Sequence, residues 1–250
     1  MTEFLGIIPA RYASTRFPGK PLALLGDKPM IQWVYEGVST LFEHLLVATD
    51  DRRIFDAVEG FGGLAQMTSP EHRSGTERCA EAATLHEQKT GRHFKFVVNI
   101  QGDEPLIKPE QLQALMDCIR MPGTGIATLI RPLVDKDELE NPNSVKVVVD
   151  QSFQALYFSR APIPFVRAHS GEPANTRKIY YSHIGLYAFR RQILDKLVQL
   201  PPTPLELAES LEQLRWLEHG HPIRTAVTLM ESIGVDTPED LEYIRKKGSF

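Results

Sequence analysis

Two cysteines in 250 residues, Cys79 and Cys118, are too few for a disulfide framework and make no zinc site by themselves. No stretch approaches the roughly 18 consecutive apolar residues needed to cross a bilayer. The longest, such as Phe4 to Ala10, are strand-sized. The opening Met1-Thr2-Glu3 lacks the positive region of a secretory leader. Positive charge is not in excess either: 28 Lys and Arg stand against 32 Asp and Glu, a net charge of −4. That balance implies neither the basic face of a nucleic-acid binder nor an acidic tail. Internal repeats and low-complexity segments are missing. These absences exclude a membrane protein, a disulfide scaffold and a disordered chain. They leave the expectation of a cytoplasmic globular protein with no nucleic-acid or membrane partner. The apolar (42%) and charged (24%) fractions are ordinary for such a chain.

Hydrophobic spacing alternates between two periods over the first hundred residues. Phe4 to Pro9 reads as a buried strand, and Pro29 to Leu41 as a helix carrying Ile31, Val34, Tyr35 and Val38 on one side. Pro29 suits the first helical position, where a missing N–H costs nothing. Strands are expected over His44–Ala48, Leu64–Met67 and Phe94–Ile100, with helices over Asp51–Glu59 and Ser74–Gln88 between them. Phe94 to Ile100 is apolar at nearly every position, as a strand covered on both faces should be. Alternating strands and helices with short connections predict an α/β fold, a mostly parallel twisted sheet with helices on both faces. Helix Pro109–Arg120 and strand Gly125–Ile130 continue the pattern. Beyond residue 144 it changes. Ser144–Val149 and Gln154–Phe158 read as a hairpin, Pro162–Arg177 as a polar loop, and Tyr180–Phe189 as a long strand. Leu205, Leu207, Leu211, Leu214 and Leu217 are expected on one helix, followed by strand Ile223–Leu229 and a closing helix Thr237–Arg245. A single domain over residues 1–250 with an antiparallel appendage near 150–190 is the expected organisation.

In such sheets ligands bind beyond the carboxyl ends of the strands. The loop after the first strand runs from Pro9 to Pro21 and carries Arg11, Arg16 and Lys20 among small residues. Several cations and backbone N–H groups at close range suit a polyphosphate. The bland alternative is a solvated basic turn, which fits less well directly after a buried strand. The loop is not a Walker A motif, because Gly19-Lys20 is followed by Pro21. After the fourth strand comes Gln101-Gly102-Asp103-Glu104-Pro105, where a carboxylate beside a glycine could hold Mg²⁺ or simply stabilise a tight turn. In Gly234-Val235-Asp236-Thr237-Pro238-Glu239-Asp240, Thr237 and Asp240 make a good helix start. Asp236 is the one residue that start does not need.

Other patterns lead nowhere. Gly60-Phe61-Gly62-Gly63-Leu64-Ala65 spells a dinucleotide fingerprint but follows a helix, so it reads as a helix stop and turn. His86-Glu87-Gln88-Lys89-Thr90 lacks the second histidine of a zinc protease. His219-Gly220-His221 reads as a helix-ending turn, and Cys79 and Cys118 as helix packing residues.

Taken in order, Ile8 to Pro21, His72 to Arg78, Gln101 to Pro105, Tyr157 to Arg160, His183 to Tyr187, Leu211 to Arg215 and Gly234 to Leu241 resemble the signatures of the CMP-KDO synthetases, the 3-deoxy-manno-octulosonate cytidylyltransferases. The resemblance spans nearly the whole chain. It implies the nucleotide-diphospho-sugar transferase (Rossmann-like) α/β fold, a homodimer joined through the antiparallel region, and activation of the acidic sugar KDO with CTP for lipopolysaccharide synthesis. It also implies roles. Arg11 and Lys20 would grip the CTP phosphates, and Asp103 and Asp236 would hold Mg²⁺; these four are the expected catalytic residues. Ala10, Ser74, Gly75 and Arg78 would complete the nucleotide site. Gln101, His183, Tyr187, Glu212 and Gln213 would line the sugar pocket, with Arg160 helping to bind its carboxylate. Ala13, where glycine is common, and Arg73 are small departures. An enzyme for sialic acid or 8-amino-KDO, or a non-catalytic nucleotide-binding module on the same fold, are the alternatives.

Overall fold

The computed structural model describes residues 2–13, 16–133, 135–167 and 179–247. Ser14 and Thr15 of the basic loop, and most of the expected 162–177 loop, lie outside them. The chain forms two compact units, one from residues 1–113 and 232–250 and one from residues 114–231.

In the first unit, strand β1 (Thr2–Ala10) leads through the basic loop to a two-residue hairpin, β2 (Leu24–Leu25) and β3 (Lys28–Pro29). Helix α1 (Met30–Ser39), strand β4 (Leu45–Thr49), helix α2 (Arg52–Gly60), strand β5 (Ala65–Met67), helix α3 (Gly75–Thr90) and strand β6 (Phe94–Asn99) follow. The strands lie in the order β6-β1-β4-β5, and every pairing among them is parallel. Leu45 to Thr49 are buried without exception, which explains their continuous apolar run. Pro29 sits one residue earlier than expected, at the extended N-cap of α1, because it still belongs to the hairpin. Gly60 closes α2 and Gly62 turns with a φ of 82°, as the glycine-rich segment predicts.

Parallel pairing brings the carboxyl ends of the strands together: Ala10 stands opposite Thr49, and Thr49 opposite Met67. A small apolar core of Leu25, Met30, Val235, Leu241 and Ile244, with Phe17 and Trp33 against it, ties the hairpin to the chain's last helix (Pro238–Lys247). Each such side chain taken from water contributes roughly 1.5–3 kcal/mol.

The chain passes to the second unit within helix α4 (Pro109–Arg120). Strand β7 (Ile126–Pro132), helix α5 (Lys136–Glu140), hairpin strands β8 (Lys146–Val149) and β9 (Ala155–Ser159), and strand β10 (Tyr181–Arg190) follow. Strand β11 (Ile223–Val227) runs parallel to β7, whereas β7-β10, β10-β8 and β8-β9 are antiparallel. Helix α6 (Arg191–Leu197) was not anticipated.

The leucine stripe is a correction. It belongs to two helices, α7 (Pro204–Glu209) and α8 (Glu212–Glu218). Ser210 adopts a left-handed backbone (φ 52°, ψ 49°) that ends α7, and Leu211 starts α8. Leu205 and Leu207 accordingly face solvent while Leu211 and Leu214 are buried. His219 caps α8 and Gly220 turns with a φ of 75°, the turn expected there. Cys79 and Cys118 are free and buried on their helices.

Candidate active site

A cleft of ≈ 280 Å³ opens at the carboxyl ends of the first unit's strands. Pro9, Ala10 and Arg11 enter it from β1, and Arg16, Lys20 and Pro21 from the basic loop. His72, Arg73, Ser74, Gly75 and Arg78 come from the start of α3, Gln101, Gly102 and Asp103 from the loop after β6, and Asp236 from the approach to the last helix. Five cations thus face two carboxylates, a balance suited to an anionic ligand.

Local chemistry explains how each loop reaches the cleft. Gly19 has a φ of 72°, and its N–H donates to the Tyr12 carbonyl over 2.9 Å, folding the loop back before the short 3₁₀ turn that begins at Lys20. The Arg53 guanidinium stacks 3.3 Å from the Tyr12 ring centroid and pins the loop's near end. Gly102 packs so tightly against β1 that a Cβ there would lie 2.9 Å from the Pro9 carbonyl oxygen. Ser74 caps α3, its hydroxyl accepting from the Glu77 N–H at 3.2 Å, and leaves Gly75 in the first turn facing the cleft.

Asp103 and Asp236, far apart in the chain, converge on one ammonium. Lys20 Nζ donates to Asp103 Oδ2 at 2.7 Å and to Asp236 Oδ1 at 3.3 Å, and Arg16 lies 3.1 Å from Asp236 Oδ2. The Val235 N–H, donating to the Asp103 carbonyl at 2.9 Å, sets the two segments side by side. The capping work falls to Asp240, whose carboxylate accepts from the N–H groups of Asp236 and Thr237 at 2.9 Å each. The Asp236 side chain is therefore free for the cleft, as its dispensability at the helix start foretold. Next to Asp103, Glu104 is buried and accepts from the Ser232 hydroxyl. Burial, reinforced by the Asp103 charge, pushes its carboxyl up to about 7.

Arg78 is almost fully buried, yet it lines the cleft. His72 is held by Glu81, which also accepts from the Ser69 N–H at 2.8 Å.

The structure brings Ala10, Arg11, Lys20, Ser74, Gly75, Arg78, Asp103 and Asp236 into this one cleft, and Gln101 with them. Arg16, one of the three loop cations but assigned no role, also lines it, as do His72 and Arg73, which were not singled out as site residues. A signal for the last two existed, since the loop after β5 is another strand-to-helix turn at the same end of the sheet.

Arg160, His183, Tyr187, Glu212 and Gln213 all belong to the second unit. His183 and Tyr187 lie on β10 with ring centroids 5.3 Å apart, and Trp216 of α8 packs edge-on against Tyr187 at 5.1 Å. The Thr128 hydroxyl donates to main-chain carbonyls of β10, so the 2.9 Å contact with His183 Nε2 is best satisfied with the ring donating. Burial alone pushes His183 down to about 3, leaving a neutral ring whose Nδ1 is an acceptor. Tyr187 Oη is buried with no hydrogen-bond partner among the described residues. Burial and the nearby Glu212 carboxylate push its phenol well above the ordinary range. Glu212 and Gln213 open α8, Gln213 buried. The Arg160 guanidinium donates to the carbonyls of Glu209 (2.8 Å) and Pro142 (2.9 Å), while Glu209 Oε2 accepts its backbone N–H at 2.9 Å.

The cytidylyltransferase family model matches residues 5–245. The protein is 54% identical to the 3-deoxy-manno-octulosonate cytidylyltransferase of Parabacteroides distasonis over 246 residues, 97% of this chain and 96% of that one. The chain belongs to the 3-deoxy-manno-octulosonate cytidylyltransferase family. The enzyme of that name from Phocaeicola vulgatus is 55% identical over 242 residues, 96% of this chain and 94% of its own. Among solved structures, a CMP:2-keto-3-deoxy-manno-octonic acid synthetase complexed with CTP superposes with a TM-score of 0.86 at 42% identity, covering 98% of both chains. The expected family, nucleotidyltransferase class and α/β fold with parallel strands therefore hold. Among the described residues no helix is long and apolar enough to cross a membrane.

Proposed function

We propose that the protein transfers the cytidylyl group of CTP to the anomeric hydroxyl of 3-deoxy-D-manno-octulosonate, releasing pyrophosphate. The observation that carries this reading is the cationic cleft at the strand ends, in a chain whose relatives bear that enzyme's name. Both substrates are anions, so positioning and charge neutralisation dominate the chemistry. Arg11 and Lys20 offset charge on the departing pyrophosphate, and Ser74, Gly75 and Arg78 surround the cytidine. In the sugar pocket, His183 offers Nδ1 to a sugar hydroxyl and Tyr187 offers its unpartnered hydroxyl. Glu212, Gln213 and Arg160 serve the remaining polar groups of the sugar.

Asp103 and Asp236 would hold Mg²⁺. Their fit to it rests on their convergence on a single cation, the Lys20 ammonium. Among the described residues no group of three or more ligands forms a protein cage, so phosphate oxygens and water would complete the shell. When bound, the ion neutralises phosphate charge and lowers the pKa of a coordinated hydroxyl. A homodimer is supported by Leu156, Phe165 and Leu207, large apolar side chains exposed on the second unit. The use of CTP supports a cytoplasmic location.

Pyrophosphate release from CTP and Mg²⁺, measured in parallel with KDO, 8-amino-KDO and sialic acid, tests the reading. Release with KDO is expected. Preference for another acid keeps the mechanism and changes the sugar, whereas silence with all three from protein that binds CTP would overturn the enzymatic function.

A further inference from the structure

Arg78 spends two of its five N–H groups inside the protein. Nη1 donates to Thr68 Oγ1 at 2.6 Å, and Nη2 donates to Asp50 Oδ2 at 2.8 Å. Its side chain is only 4% exposed, and the Asp50 carboxylate is 19% exposed. A buried guanidinium without its carboxylate would be costly, so this pair is fixed in the fold. Both partners stand at strand ends. Asp50 directly follows β4, and Thr68 directly follows β5. The Thr68 N–H donates to the Thr49 carbonyl at 2.8 Å, locking the two ends together. Arg78, reaching back from the first turns of α3, is thereby clamped at one rotamer beside the cleft, with its remaining N–H groups available to a ligand.

We infer that Asp50, assisted by Thr68, is a positioning residue that aims Arg78 at the cytosine ring and so sets the preference for CTP over UTP. This rests on the reading of the cleft as the cytidine site. The chemistry is directional. Cytosine presents acceptors at O2 and N3, which a fixed planar fork of donors can meet together. Uracil presents an N–H at N3, which meets the same fork donor to donor. A guanidinium that only neutralised phosphate would treat the two nucleotides alike, and would not need both of its terminal nitrogens immobilised.

The test is calorimetric binding of CTP and UTP to the full chain and to Asp50→Asn, Asp50→Glu, Thr68→Val and Arg78→Lys, with melting temperature recorded for each. Asp50→Asn is expected to weaken CTP about tenfold or more while changing UTP far less, narrowing the discrimination. Thr68→Val should move the ratio in the same direction by less, and Asp50→Glu should restore part of it. Equal losses for CTP and UTP, or CTP binding within twofold of the parent in Asp50→Asn when Arg78→Lys is impaired, would overturn the positioning role. CTP binding unchanged in Arg78→Lys would instead remove the cytidine assignment itself. Should Asp50→Asn fail to fold, the ratio measured on Thr68→Val decides.

Discussion

Lys20 Nζ lies 2.7 Å from Asp103 Oδ2 and 3.3 Å from Asp236 Oδ1, so two carboxylates far apart in the chain share one ammonium. The basic loop and the acidic pair are thus one electrostatic unit before any ligand arrives. Nucleotide phosphates, which bring their own negative charge, compete with those carboxylates for Lys20.

Asp103→Asn keeps the shape of the side chain and halves the negative charge around Lys20. Turnover is expected to fall by about 10²-fold or more, with the melting temperature close to the parent's. Steady-state pyrophosphate release and a thermal scan check it. A fully active Asp103→Asn enzyme that still requires Mg²⁺ would remove the metal assignment.

Replacing Lys20 separates its two roles. Without the ammonium, Asp103 loses the cation 2.7 Å from it and Asp236 keeps Arg16, so a divalent cation becomes the stronger counter-charge for the pair. Lys20→Met should therefore bind Mn²⁺ more tightly than the parent in the absence of nucleotide, read as loss of the free-ion paramagnetic signal. The same variant should bind CTP more weakly, because a phosphate cation has gone. Unchanged Mn²⁺ affinity would mean the two carboxylates do not act as a pair.

The position of Asp236 depends on packing behind it. Val235, Leu241 and Ile244 sit in the core with Leu25 and Met30, and hold the approach to the last helix against the hairpin. Ile244→Ala is expected to cost about 2–5 kcal/mol in urea unfolding. It should also weaken CTP binding although Ile244 is absent from the cleft lining. A stability loss with CTP affinity intact would show that the core and the site are uncoupled.

Much of this was legible in the residues. Strand and helix periods placed β1, β4, β5 and β6 but not the two-residue strands β2 and β3, and the rule that loops at carboxyl ends carry function led to Arg11, Lys20 and Asp103. Asp236 stood out only as the one residue the helix start did not use, and its place in the site came from the family resemblance. What escaped depends on backbone conformation or distant contacts. The break at Ser210 is a single left-handed residue inside an apolar stripe, and serine carries no strong turn signal. The convergence of Lys20 on Asp236 depends on the Val235–Asp103 main-chain bond, which no local pattern encodes. His72 and Arg73 were quoted within a motif, but their place in the cleft follows from how α3 meets the sheet.

His183 gives a prediction in pH. Burial lowers its pKa from 6.5 to about 3, so between those values the unfolded chain binds a proton that the folded protein does not. Stability linked to His183 is complete above pH 6.5 and is lost as pH falls toward 3, with a slope of at most about 1.4 kcal/mol per pH unit. His183→Gln keeps a donor for Thr128 and removes the titration. Urea midpoints at pH 4, 5, 6 and 7 should therefore fall less steeply with acid in the variant than in the parent. At pH 7 the variant should lose sugar turnover more than CTP binding, because the histidine is assigned to the sugar and lies in the unit without the nucleotide cleft. Parallel acid slopes for parent and variant would show that His183 is hydrated enough to titrate normally, and would remove the neutral acceptor from the sugar pocket.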